Sequence, residues 1–80
     1  ASMGGKVTYM DEIELATAEH GKISVSVVEQ PYGPKSPSVV SIGIFLKKEN
    51  AEPDWKVHIP EENVDEVLAA LHFAKSKLSI

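Results

Sequence analysis

The stretch Lys22-Ile23-Ser24-Val25-Ser26-Val27 decides the fold, because its side chains alternate between polar and apolar at every step. An alternation of period two predicts a β-strand with one face toward a core and the other toward solvent. An earlier segment from Val7 to Thr17 also holds its apolar side chains mainly at odd positions, and a turn over residues 18–21 links the two. Because this connection is short, the two segments are predicted to form an antiparallel hairpin.

Two further strands are predicted after a loop over residues 30–37. Three prolines and a glycine in these eight residues cannot continue a central strand, so the loop separates the second strand from the third. The third strand is predicted over Val39 to Lys48 and a shorter fourth strand over residues 55–59, with a turn at 49–53 between them.

A C-terminal helix is predicted to begin at Pro60, whose fixed φ and missing N–H suit the first turn of a helix. Apolar side chains then recur at the three- and four-residue spacing of an amphipathic helix. These residues are Val64, Val67, Leu68, Leu71 and Leu78. The pattern predicts the α+β fold class, a four-stranded antiparallel sheet followed by one C-terminal helix, in a single ββββα domain over residues 6–80. Residues 1–5 are predicted to be an expression scar or a disordered N-terminus.

The helix is expected to cover one face of this sheet, the face that carries the aliphatic side chains and the tryptophan. The residues expected beneath the helix are Ile23, Val25, Val27, Val40, Ile42, Ile44, Leu46, Trp55, Val57 and Ile59. The opposite face would stay uncovered.

Length and composition point to a homodimer. The chain has 80 residues and no cysteine, which excludes disulfides and thiolate zinc sites. A chain of this size buries only roughly 60% of its unfolded surface, and small scaffolds of this kind usually need a staple. Association with a second subunit is the remaining way to stabilise a small domain that this composition allows.

The same composition bounds the function. The formal net charge is −4, and all eight basic residues are lysines. Arginine is the usual residue for bidentate guanine contacts, so double-stranded DNA readout is disfavoured. No apolar run has the length of a membrane span, which predicts no membrane partner and a cytoplasmic location.

No catalytic motif or cofactor motif is present, so the sequence predicts neither an enzyme nor a cofactor. His20, His58 and His72 lie on three different predicted elements, and a metal site is therefore not predicted. Paired carboxylates near Glu12 are more typical of an edge strand that resists pairing with another sheet.

The uncovered sheet face is the candidate binding surface, because it combines lysines, hydroxyls and one aromatic ring. The ring would stack on an unpaired base while the lysines follow phosphates. The candidate residues are Lys22, Ser24, Phe45, Lys47 and Lys56. Two plainer interpretations stay open: a solvated sheet face with one stray phenylalanine, and a dimer contact centred on Phe45. Tyr32, in the proline-rich loop, contacts a ligand or packs on its own prolines.

Two segments carry a resemblance to a known fold. Residues 19–26 (EHGKISVS) place a glycine turn before an alternating strand, and residues 55–62 (WKVHIPEE) run a short strand through proline into a helix. In this order of elements, from Val7 to Leu78, the chain resembles the fold shared by the Pur-alpha repeat, the Whirly proteins and the transcriptional coactivator positive cofactor four. The resemblance implies a homodimer whose curved sheets bind single-stranded DNA or RNA, with the five candidate residues as contacts.

The leading hypothesis is therefore a homodimeric module that binds single-stranded DNA or RNA through the uncovered sheet face. Two alternatives remain. One is a protein-interaction or assembly module without nucleic-acid binding, which the acidic charge and the missing arginine favour. The other is a small-ligand or regulatory domain with Tyr32 and His58 lining a cleft.

Overall fold

All four predicted strands lie in one antiparallel sheet in the computed structural model, which describes residues 5–17 and 19–78. The strands are β1 (Val7–Glu14), β2 (Lys22–Val28), β3 (Val39–Phe45) and β4 (Trp55–Pro60), and they follow one another across the sheet in chain order. A 3-10 turn (Glu61–Asn63) and helix α1 (Val64–Leu78) complete the chain. The predicted fold class is confirmed. Residues 1–4 of the predicted N-terminal segment and residue 18 of the predicted turn lie outside the described residues.

The register of the strands assigns each side chain to one of two faces, because directly paired residues point to the same side. We call one the apolar face, since ten of its twelve positions are aliphatic or aromatic. In rows across the sheet it consists of Thr8, Val27, Val40, Ile59; Asp11, Val25, Ile42, Val57; and Ile13, Ile23, Ile44, Trp55. We call the other the serine face. Its rows are Val7, Val28, Val39, Pro60; Tyr9, Ser26, Ser41, His58; Glu12, Ser24, Gly43, Lys56; and Glu14, Lys22, Phe45.

A β-bulge in β1 explains why its apolar side chains do not share one face. The register shifts between Tyr9 and Asp11, so Met10 is the extra residue. Tyr9 consequently points to the serine face, whereas Ile13 points to the apolar face. The odd-numbered alternation that predicted this strand therefore holds on each side of the bulge but changes face across it.

The β3 strand is shorter than predicted and ends at Phe45. The backbone N–H of Leu46 donates to the Asp54 carboxylate at 2.8 Å, and the N–H of Asp54 donates to the carbonyl of Ile44 at 2.8 Å. These bonds take the place of further pairing between β3 and β4. Lys47 therefore lies in the connection after β3, outside the sheet.

Helix α1 does not cover the apolar face, and this part of the prediction is wrong. No residue of α1 is buried, and the helix makes only marginal contacts with the strands. β4 ends at Pro60 and α1 begins at Val64, so the connection between strand and helix is the three-residue 3-10 turn Glu61–Asn63. This turn leads α1 away from the sheet rather than back over it.

Burial on the two faces is consequently the reverse of what the polarity pattern suggests. None of the twelve apolar-face residues is buried, and Trp55 is 62% exposed. On the serine face, Ser24, Ser26 and Ser41 are 4–5% exposed. The chain keeps short hydroxyl side chains in its interior and leaves its aliphatic surface open.

Candidate nucleic-acid interface

The serine face forms a groove of about 290 Å³ rather than an open surface. Residues of β1, including Tyr9, form one wall, and the connection between β3 and β4 at residues 51–53 forms the other. The serines of β2 and β3 form the floor. Because serine side chains are short, they lie below the level of the two walls, and the space above them forms the groove.

Gly43 allows the second wall to approach the floor. A Cβ at this position would stand 2.9 Å from the Ser24 Oγ and 3.3 Å from the Pro53 Cβ. Real Cβ atoms rarely tolerate such distances, so the Pro53 ring lies over β3 only because the residue below it has no side chain. The glycine thus sets the depth of the groove.

Replacing Gly43 with alanine should lower the free energy of unfolding by about 1 kcal/mol, the lower end of the range for overpacking. Both the Ser24 hydroxyl and the Pro53 ring would have to move to make room for the added methyl group. Urea denaturation measures the change. The same substitution in a Ser24→Ala background should cost less, because the closest contact is gone. Equal costs in both backgrounds would show that Ser24 does not restrict the site.

Phe45 is buried and therefore offers no open ring to a base. It is 4% exposed, and the Lys22 ammonium lies 4.7 Å from its ring centroid. Lys22 also forms an ion pair with Glu12, with 3.0 Å between Nζ and Oε2. The lysine closes one side of the phenylalanine, and its charge is balanced by a neighbouring carboxylate.

The five predicted contact residues are therefore only partly brought together. Lys22, Ser24, Phe45 and Lys56 share the serine face, while Lys47 lies beyond the end of β3. Of the four on the face, only Lys56 is exposed. A second pair, Lys48 with Glu14 at 3.3 Å, balances another lysine at the same end of the sheet.

Two exposed tyrosines lie at the groove, and the sequence pattern did not predict that they would share one site. Tyr9 lines it and is 62% exposed. Tyr32 is 74% exposed, and its hydroxyl lies 3.0 Å from Nδ1 of His58, a residue that also lines the groove. The rings of Tyr32 and His58 are tilted by 56° with centroids 6.1 Å apart. Tyr32 in its loop was noted from sequence, but Tyr9 reaches this face only through the bulge.

The loop that carries Tyr32 is fixed by its own hydrogen bonds. Gln30 adopts φ +52° and Gly33 φ +120°, both in the left-handed region. The Gln30 side chain donates to the carbonyl of Pro34 at 2.8 Å, and the N–H of Tyr32 donates to Ser36 Oγ at 3.0 Å. The exposed ring is thus carried by an ordered turn.

The surface can stack planar rings, donate and accept hydrogen bonds through hydroxyls, and attract an anion at Lys56. Within residues 5–17 and 19–78, no three histidine or acidic side chains gather into a metal site. No helix in the described part of the chain is long and apolar enough to cross a membrane. No protein-family model, curated protein or solved structure matches this chain.

Proposed function

We propose that the chain is a non-catalytic module that binds single-stranded DNA or RNA on its serine face and works as a homodimer. The observation that carries the proposal is the pair of exposed tyrosines, Tyr9 and Tyr32, beside a groove with a hydroxyl floor. Aromatic rings accept bases of any type by stacking, and hydroxyls bond to bases or sugars. The order of the elements, which resembles known single-strand binders, supports the same function.

The electrostatics favour weak binding with a shallow dependence on salt. Lys56 is an exposed cation on the face, while Lys22 is paired with Glu12 and the chain carries a net charge of −4. Phosphate contacts release counterions, so each one makes affinity depend more steeply on salt. Few such contacts are available here, and stacking must therefore supply a large share of the affinity.

Fluorescence anisotropy with labelled oligothymidine at low salt tests the proposal. Replacing Tyr9 or Tyr32 with alanine should weaken binding by about 5- to 150-fold, since stacking contributes roughly 1–3 kcal/mol per base. Lys56→Ala should also reduce the salt dependence, by about 0.7 in the slope of log affinity against log salt. Lys77→Ala, on α1, is the matched control and should change neither quantity. Absence of binding at tens of micromolar protein would reject nucleic acid as the ligand.

A protein-interaction or assembly module is the second candidate, and the burial of Phe45 together with the open apolar face favours it. Under this alternative the serine face is a structural interior and the chain works through its other face. Affinity purification with and without nuclease separates the two functions. A partner protein retained after nuclease treatment, with no oligothymidine binding, would establish the second.

A further inference from the structure

We propose that the groove on the serine face recognises the sugar of its ligand and therefore prefers RNA to DNA. The 2′-hydroxyl of ribose would supply the hydrogen-bond partner that the serines of the floor lack. This inference rests on the proposed function and deepens it, because it names the kind of strand that is bound. Ser24, Ser26 and Ser41 make the distinction.

The hydroxyls of these three serines have no partner in the protein. Each serine is only 4–5% exposed, yet none of the three hydroxyls forms a hydrogen bond with another of the described residues. The hydroxyls of Ser36 and Ser76, by contrast, each donate to a backbone carbonyl. No fully buried side-chain oxygen or nitrogen within residues 5–17 and 19–78 lacks a partner, so the three hydroxyls of the floor open into the groove. Nearly buried hydroxyls of this kind need a partner that enters from outside.

The order of side chains across the sheet matches the order of groups in a nucleotide. One row runs from β1 to β4 through Tyr9, Ser26, Ser41 and His58. The exposed cation Lys56 lies two residues from His58 on β4. An aromatic ring, hydroxyls and a cation thus succeed one another, as base, sugar and phosphate do. A base stacked on Tyr9 and a phosphate at Lys56 place the sugar over the serines.

The spacing of the serines suits a single hydroxyl group. Ser26 and Ser41 are directly paired across β2 and β3, so their Cβ atoms lie about 4.5–5.5 Å apart. One ribose hydroxyl between them reaches both side chains, because it can donate one hydrogen bond and accept another. At the far edge, the Tyr32 ring beside His58 is exposed and can stack on the next base of the strand.

The absence of this hydroxyl would count against DNA. Deoxyribose carries only hydrogen at the 2′ position, so a DNA strand in the groove would displace water from the serines without replacing its hydrogen bonds. A site built to bond a hydroxyl rejects the analogue that lacks it, because its own polar groups are left unpaired. The 2′-hydroxyl is also the group by which proteins generally distinguish RNA from DNA.

The charge of the groove is compatible with sugar recognition. Glu52 lines the second wall, and its carboxylate would repel a phosphate but can accept a hydrogen bond from a ribose hydroxyl. Lys22 is paired with Glu12, which leaves Lys56 as the exposed lysine of this face. Neutral contacts to the sugar add affinity without a further cation.

Fluorescence anisotropy at low salt tests the proposal on the unmodified chain, with labelled oligouridine and oligodeoxyuridine of equal length. The two strands carry the same base and differ only in the sugar. The RNA strand should bind about 10-fold more tightly, as expected for one or two additional hydrogen bonds. A 2′-fluoro strand keeps a ribose-like sugar conformation but cannot donate, and it should bind as the DNA strand does. Equal affinity for RNA and DNA, or a 2′-fluoro strand that binds as tightly as RNA, would overturn the proposal.

Replacing Ser26 and Ser41 together with alanine should reduce the preference for RNA to within about 2-fold, mainly through weaker RNA binding. Ser76→Ala is the matched control, because its hydroxyl bonds within α1, and it should keep the full preference. Circular dichroism checks that the double variant folds, and the 2′-fluoro strand decides the question if it does not. A preference that survives the double replacement would show that these serines do not read the sugar.

The outcomes separate this inference from the proposed function. Equal binding of the RNA and DNA strands would reject sugar recognition and leave single-strand binding in place. Absence of binding by either strand would reject the proposed function itself.

Discussion

Replacing Phe45 with alanine should lower the free energy of unfolding by about 3–5 kcal/mol, the range for truncating a buried phenylalanine. Phe45 is 4% exposed, and its Cε1 would lie 3.4 Å from a Cβ built on Gly43. Lys22 covers the ring from the other side, with Nζ 4.7 Å from the centroid. Truncation would leave a cavity among rigid strand residues and would remove the surface on which the lysine rests.

Urea denaturation at fixed protein concentration measures this loss. Phe45→Leu should retain more of the stability, because leucine fills part of the same space. Tyr32→Ala is the control for removing an aromatic ring from the surface, and its effect should stay within about 1 kcal/mol. If Phe45→Ala left stability unchanged and abolished oligothymidine binding, the ring would be a stacking group after all.

Replacing Ile42 with lysine should weaken the homodimer by at least about 100-fold, which corresponds to about 2.7 kcal/mol. Ile42 lies in the middle row of the apolar face, between Val25 on β2 and Val57 on β4. In a single chain the position is only half-buried, so a lysine would be tolerated there. In a homodimer that forms through the apolar face, the same lysine would be buried without a partner, which is costly.

Sedimentation over a range of concentrations measures the change, because a dimer dissociates on dilution and a monomer does not. Ala69→Lys is the matched control: it adds the same charge to α1 at an exposed position, on the side of the helix opposite Leu68 and Leu71. It should leave the association unchanged. An Ile42→Lys chain that associates as tightly as the unmodified chain would show that the apolar face is not the interface.

The alternation of side chains was enough to predict most of the architecture. Residues 22–27 alternate strictly, and β2 begins and ends within one residue of them. The β4 strand was likewise recognised from the alternation of Trp55, Val57 and Ile59. Period-two patterns are local, because each residue reports its own side of the strand without reference to any other element. The boundaries of β3 were less accurate, since Asp54 ends its pairing through a side-chain bond from eight residues away.

The candidate site could be predicted only in part. Placing Lys22, Ser24 and Phe45 on one face followed from parity and is confirmed. The exposure of these side chains could not be predicted from the sequence. It depends on Pro53 and Lys22, which cover the face from elements that are distant in the chain. Tyr9 was assigned no role, since a one-residue bulge at Met10 moves it to this face and a bulge leaves no mark in the alternation.

The sequence by itself determined the order of the elements, the absence of covalent staples and the division of the sheet into an apolar and a hydroxyl-bearing face. Only the tertiary structure decided which of these faces is buried. The polarity pattern predicts that the aliphatic residues are buried, but it does not say whether they are buried within one chain or between two chains. The turn after Pro60 leads α1 away from its own sheet, so the apolar face remains open. On the serine face the buried residues lie on β2 and β3, among them Ser24, Ser26 and Ser41 on the floor of the groove. In the proposed homodimer, the second chain would bury the apolar face.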